Sequence, residues 1–167
     1  PTNPFGSAKL AIPVFREESA EHDTKLYYLE NMERSIAYVS KTSITKNAQD
    51  IDKYKVFIPE AGGSGNDPMV LGRPICAPRN SICSQTFLYV PFSSKAEAQN
   101  FISYLQTKLF RILVSACKIS QHAPSKTYRF VPMQDFSRPW TNAALYAKYS
   151  LTEEEIAFIE ATIKPME

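Results

Sequence analysis

Four glycines within eleven residues, Gly62, Gly63, Gly65 and Gly72, hold nearly all the backbone freedom of a chain that has only five. Lys53, Lys55, Arg73 and Arg79 flank them. A loop that exposes its backbone between cationic strands suits a phosphate-bearing partner, with Gly63 and Ser64 at its tip. The competing reading is a strand connection that needs positive φ and binds nothing. A nucleotide-binding P-loop needs Lys and Ser or Thr after its last glycine, with a helix behind, and neither follows here. A dinucleotide fingerprint fails as well.

A second cluster lies further along. Lys118, Gln121, His122, Ser125 and Lys126 fall within nine residues. Gln and His side chains can hydrogen-bond base edges, while Lys and Ser suit phosphate contacts. An ordinary polar loop remains the alternative. Cys76 and Cys83 with His22 and His122 do not make a zinc site, because the six-residue gap is wrong for a knuckle and no second pair follows. No Gly-x-Ser-x-Gly nucleophile motif occurs. Glu153, Glu154 and Glu155 are consecutive and so spread around a helix; they read as a solvated first turn favoured by the helix dipole. No catalytic residue and no metal ligand are assigned. Tyr27, Tyr28, Trp140 and Tyr146 read as core or hinge aromatics more readily than as base-stacking platforms.

These clusters need elements to hold them. Residues 10–15 could form a strand that Pro13 confines to an edge or bulge. Residues 25–29 and 35–39 form a hairpin of β-branched and aromatic character. A polar stretch, 43–53, has room for one helical turn. Strand 55–59 leads into the glycine loop 61–67, followed by an extended piece at 73–78 and a strand at 86–90. Ser94 and Glu97 match a capping box, and the helix behind them should run to about Cys117, with Phe101, Leu105, Leu109, Ile112 and Ala116 on one face. Beyond it lie a polar loop at 119–127, a strand at 128–132 and a helix at 141–149. A last helix starts at Thr152, with Glu155 repeating the capping logic, and carries Ile156, Ile159 and Ile163 before Pro165 closes it.

With 167 residues, 44% of them hydrophobic, the chain can build one domain with a normal core. Its formal net charge of +2 is too small for bulk attraction to nucleic acid, so the charge must be segregated. Segregation is present: residues 34–148 carry fifteen Lys and Arg against six Asp and Glu, whereas 152–167 carry five Glu against one Lys. Three cysteines and no signal peptide indicate a reduced, cytoplasmic setting. No apolar run approaches the roughly 20 residues of a membrane span. The opening PTNPFG, without methionine, points to a piece of a longer protein.

Three stretches then combine: KYKVFIPEAGGSG from Lys53, LGRPICAPRNSICSQTFLYV with the helix and QHA loop behind it, and TYRFVPMQDFSRPW with the tail that follows. As an ordered set they resemble the C-terminal region of bacterial restriction-modification DNA methyltransferases of the N6-adenine class (type II/IIG), over residues 3 to the end and most strongly from Lys53. The resemblance implies a target-recognition region without its catalytic part. In that family an S-adenosylmethionine-binding fold and an Asn-Pro-Pro-Tyr motif precede this region, and neither is present; NDPM at Asn66 and SRPW at Ser137 lack the paired prolines. S-adenosylmethionine is thus expected in the missing N-terminal domain and no cofactor in this piece. The implied partners are double-stranded DNA and that catalytic domain. NMERSIA, at 31–37, departs from the pattern where a small glycine turn is expected, which leaves the role of Arg34 open.

The expected fold is α+β: a twisted, mostly antiparallel sheet with one long packed helix and a helical C-terminal tail, divided as a recognition domain at 1–140 and a tail at 141–167. The expected function is sequence-specific DNA recognition, not catalysis, with Lys53, Lys55, Gly63, Ser64, Arg73, Arg79, Lys118, Gln121, His122 and Lys126 as DNA-binding residues. Whether the parent is fused to or paired with a restriction endonuclease stays open. The rival reading is a protein-interaction or assembly domain of such a complex.

Overall fold

A computed structural model describes residues 3–6, 13–31, 33–61 and 68–166. Among these the chain is α+β, with two three-stranded sheets in place of the single sheet expected, and four α-helices. In the first sheet β1 (Thr24–Glu30) lies between β2 (Glu33–Val39) and β5 (Ser81–Cys83); β1 pairs antiparallel with β2 and parallel with β5. The second sheet places β3 (Tyr54–Pro59) between β4 (Ile75–Ala77) and β6 (Phe87–Phe92), all antiparallel.

The central strand β3 explains the layering. Its residues alternate between two cores, as the two-residue period of a strand requires. Val56 and Ile58 face a core shared with Leu105, Phe110, Val114, Leu145 and Ile159 of the helices. Phe57 faces a core shared with Leu26, Val39, Ile82 and Phe87 of the strands. Both faces of β3 are therefore covered, and five of its six residues are buried.

The predicted hairpin forms, turning at Asn31 with φ 51°, a conformation asparagine tolerates. The expected strand at 10–15 falls partly outside the described residues; Phe15 makes a single antiparallel bridge to Tyr38. Two short 3-10 turns, Lys41–Ser43 and Ala48–Asp50, replace the one helical turn expected before β3. β5 was not anticipated. Asn80, at φ 53°, turns the chain into it and accepts a hydrogen bond at 2.9 Å from the hydroxyl of Thr24, which fixes the start of β1 beside β5.

The long helix is two helices. α1 (Lys95–Gln106) begins at the Ser94–Glu97 capping box, and α2 (Lys108–Ser115) follows a break at Thr107. Thr107 is extended, with ψ 149°. Its hydroxyl donates to the Tyr104 carbonyl at 2.7 Å and accepts from the Phe110 amide at 3.3 Å, so one side chain ends α1 and caps α2. Asn142 Oδ1 takes the Lys108 amide at 2.7 Å.

The predicted strand at 128–132 is absent: Ser125–Tyr128 is a 3-10 turn that runs on into irregular chain. α3 (Asn142–Lys148) and α4 (Glu153–Thr162) form as expected, the second with its Thr152–Glu155 capping box. Leu145, Tyr146, Ile159 and Ile163 join the core of α1 and α2.

Candidate nucleic-acid interface

The ten residues proposed from sequence do not share one surface. Lys55 is completely buried, although it alternates with Val56 in a strand. It points the same way as Phe57, into the strand-side core, and its ammonium folds back onto backbone carbonyls: Asp50 at 2.9 Å, Ile51 at 2.8 Å and Lys53 at 2.5 Å. Burial lowers its pKa to about 8. Lys55 is a structural staple, and its assignment as a phosphate contact is corrected.

Lys118 is corrected for the same reason. It is 8% exposed, and its ammonium donates to the Val70 carbonyl. A third buried cation, Arg111, escaped the sequence reading altogether. It is fully buried and donates to the carbonyls of Thr107 at 3.3 Å, Met69 at 3.3 Å and Gln106 at 3.2 Å. Desolvation lowers its pKa. A signal was available, because 107, 111, 114 and 118 repeat at helical spacing and are all buried. Two cations on that stripe were never on the solvent face.

Arg111 and Lys118 grip consecutive carbonyls of the chain leaving the glycine loop. Between those carbonyls the backbone makes a tight turn: the Leu71 amide donates to Met69 O at 2.7 Å around Val70. Val70 has φ 66°, a γ-turn geometry that is strained for a β-branched residue. The loop thus re-enters the core through a strained turn clamped by two buried cations.

Gly63 and Ser64 lie outside the described residues, as does the rest of 62–67. The two ends of that segment are fixed. On the entry side Ala61 forms an antiparallel bridge with His122, and the Ala123 amide donates to the Glu60 carbonyl at 2.7 Å. Ala61, the last described residue before the glycines, and the Gln121–His122 loop, some sixty residues apart in sequence, therefore meet at one edge, and Gln121, His122 and Lys126 are all exposed.

Lys53 is exposed and ion-paired with Asp50 at 2.8 Å. Burial pushes the Asp50 carboxyl upward, but hydrogen bonds from Lys53 and Tyr89 outweigh it and leave the pKa below its ordinary value. Arg73 and Arg79 are exposed on either side of β4. Arg79 stacks over the Tyr54 ring at 5.3 Å. Arg34, whose role the sequence left open, reaches from β2 and donates from Nη2 to the Arg73 carbonyl.

The other groups weighed for chemistry do not converge. Cys76, Cys83 and Cys117 are free, and burial pushes the Cys83 thiol far upward. Among the described residues no three His, Cys, Asp or Glu side chains are grouped to hold a metal ion, and no helix is long and apolar enough to cross a membrane. Trp140 and Tyr146 are buried. A cavity of about 560 Å³ lies between β6, α1 and the segment at 125–133, with Leu88, Val90, Phe101, Tyr104 and Tyr128 in its wall and no charged side chain. It offers an anionic partner no cation.

No family model matches the chain, and neither a curated protein nor a solved structure matches it.

Proposed function

We propose that this chain is a DNA target-recognition module, the non-catalytic C-terminal part of a restriction-modification adenine-N6 methyltransferase. The observation that carries the reading is the Ala61–His122 bridge with its Ala123–Glu60 hydrogen bond at 2.7 Å. It joins the two loops that the sequence singles out, and it leaves Gln121, His122 and Lys126 exposed beside them. Side chains with both donor and acceptor atoms suit base edges, while exposed cations suit phosphates. Arg73 and Arg79 extend the cationic surface along β4. A methyltransferase must hold its duplex while the target base leaves the stack, and a separate module that grips backbone and groove supplies that hold. S-adenosylmethionine and the reacting groups belong to the catalytic domain, which is the protein partner of this module.

The test is duplex binding by fluorescence anisotropy across a salt series. Phosphate-driven binding weakens steeply, with a log–log slope of about −0.9 per phosphate contacted. Lys126→Gln and Arg79→Gln are expected each to reduce that slope by about one. Absence of duplex binding by the wild-type chain at low salt overturns the reading. A second reading, a protein-assembly domain, is favoured by Phe158 on α4, which is 65% exposed. Salt-insensitive association with a protein subunit, lost in Phe158→Ser, would support it instead.

A further inference from the structure

The cavity of about 560 Å³ between β6, α1 and the segment at 125–133 is large enough for a small molecule. Ligand pockets run to about 300–1,000 Å³, and an apolar cavity of about 150 Å³ already admits benzene. One side of it is aromatic. Tyr104 meets Phe110 edge-on at 5.0 Å, and Phe110 lies 6.1 Å from Tyr128, so three of its lining rings form a continuous wall. Ile58, Leu88 and Val90 of β3 and β6 supply an aliphatic side. Pro4 lines it too, fixed by a hydrogen bond at 2.6 Å from Asn47 Nδ2 to its carbonyl. Ser125 and Met133, both exposed, mark where it opens to solvent.

Three tyrosines belong to this wall, and the hydroxyls of two are engaged. Tyr89 donates to Asp50 Oδ2 at 2.9 Å. Tyr104 donates to the Pro132 carbonyl at 2.7 Å and accepts from Gln134 Nε2 at 3.3 Å. The Tyr128 hydroxyl differs: it is buried and, among the described residues, has no hydrogen-bond partner. Native interiors rarely leave a buried hydroxyl in that condition. Burial, and then the Glu60 charge, push its pKa upward, so it keeps its proton and stays a donor.

We propose that this cavity binds a flat, neutral aromatic molecule of about two or three fused rings, whose carbonyl oxygen accepts a hydrogen bond from the Tyr128 hydroxyl. Rings pack on such a wall in offset or edge-on fashion. A charged ligand would lose its hydration without compensation, because among the described residues no charged side chain lines the space. The inference goes beyond the DNA reading and uses none of the residues assigned to the duplex.

The test is displacement of phenylnaphthylamine, a neutral dye that fluoresces in apolar sites, from the full chain by fluorenone and by fluorene. These two competitors share one ring frame and differ by the carbonyl. Fluorenone is expected to displace the dye at about three- to tenfold lower concentration, and Tyr128→Phe should bring the two together. Val90→Phe fills the space from β6 and should abolish dye binding, with circular dichroism reporting its fold. Met133→Trp alters only the exposed rim and should weaken the dye as well; if Val90→Phe does not fold, Met133→Trp decides. A wild-type chain that does not bind the dye overturns the proposal. Dye binding that the folded variants retain at wild-type strength also overturns it, because the dye then sits elsewhere. Equal displacement by fluorenone and fluorene from the wild-type chain overturns the hydrogen bond from Tyr128.

Discussion

The Ala123 amide donates to the carbonyl of Glu60 at 2.7 Å, closing a two-residue ladder in which Ala61 bridges His122. Backbone pairing of this kind holds loops by their main chain and leaves the side chains free. His122 and Gln121 can therefore be changed without disturbing the edge that displays them. His122→Ala is expected to keep stability within about 0.5 kcal/mol, as exposed substitutions do. A change in duplex sequence preference, measured by competition between oligonucleotides, is its expected functional effect.

The buried cations behave in the opposite way. Arg111→Met removes the side-chain hydrogen bonds to the carbonyls of Met69, which keeps that of the Leu71 amide, and of Gln106, and Lys118→Met takes the ammonium from the Val70 carbonyl. Losing a hydrogen-bond partner at a buried acceptor costs about 1–3 kcal/mol. Urea denaturation should show both variants destabilised by that order, with Lys126→Gln unchanged beside them. Equal stability of Lys118→Met and wild type would remove the clamp on the loop exit.

Val70 invites a comparison in which glycine outperforms alanine. Both replacements remove the buried side chain, which is only 4% exposed, but alanine retains the penalty of φ 66°. Strain at such a position is worth about 1–3 kcal/mol, against the roughly 0.5–1 kcal/mol that glycine loses through chain entropy. Val70→Gly should therefore unfold at higher urea than Val70→Ala. The reverse order would show that the turn is relaxed.

The helix break rests on a single side chain. Thr107→Ala removes the hydroxyl that accepts from Phe110 and donates to Tyr104, at an expected cost of about 1 kcal/mol. Thr107→Ser retains it. Thermal melts of the two variants side by side separate the capping role from lost packing of the methyl group.

Asp50 gives a pH dependence whose sign follows from its surroundings. Its folded-state pKa lies below the ordinary carboxylate value because the Lys53 and Tyr89 hydrogen bonds outweigh burial. The unfolded chain thus takes up its proton first as pH falls. The stabilisation is complete above about pH 4 and is lost as pH drops through the lower folded value. Asp50→Asn should be less stable than wild type at neutral pH, and the gap should close under acid.

What the sequence revealed and what it hid divide by range. The capping boxes at Ser94 and Thr152, and the β1–β2 hairpin, are specified by residues within a few positions of one another, and all formed as expected. The break at Thr107 was hidden because apolar periodicity continues across it, and because the Asn142 side chain that takes the Lys108 amide lies 34 positions further on. β5 was hidden because three residues carry no period of their own. In the candidate site, the polar and cationic character of the two loops was legible, but neither the Ala61–His122 bridge nor the burial of their neighbours was. Charge alone does not tell whether a lysine faces water or a row of carbonyls; Lys55 and Lys118 show that a long aliphatic stem can carry an ammonium into the interior when backbone oxygens wait there.

The parallel pairing of β1 with β5 orders events in time. β1 and β2 can zip as soon as both exist, since their pairing closes a short turn. The other edge of β1 stays open until the chain has passed Asn80, 56 positions beyond Thr24, because only then does its parallel neighbour arrive. β3 and β4, which lie between the two strands in sequence, belong to the other sheet. Non-local closure of this kind is slow relative to helix formation. The helices that complete the other core are therefore free to assemble while the first sheet is still waiting for its third strand.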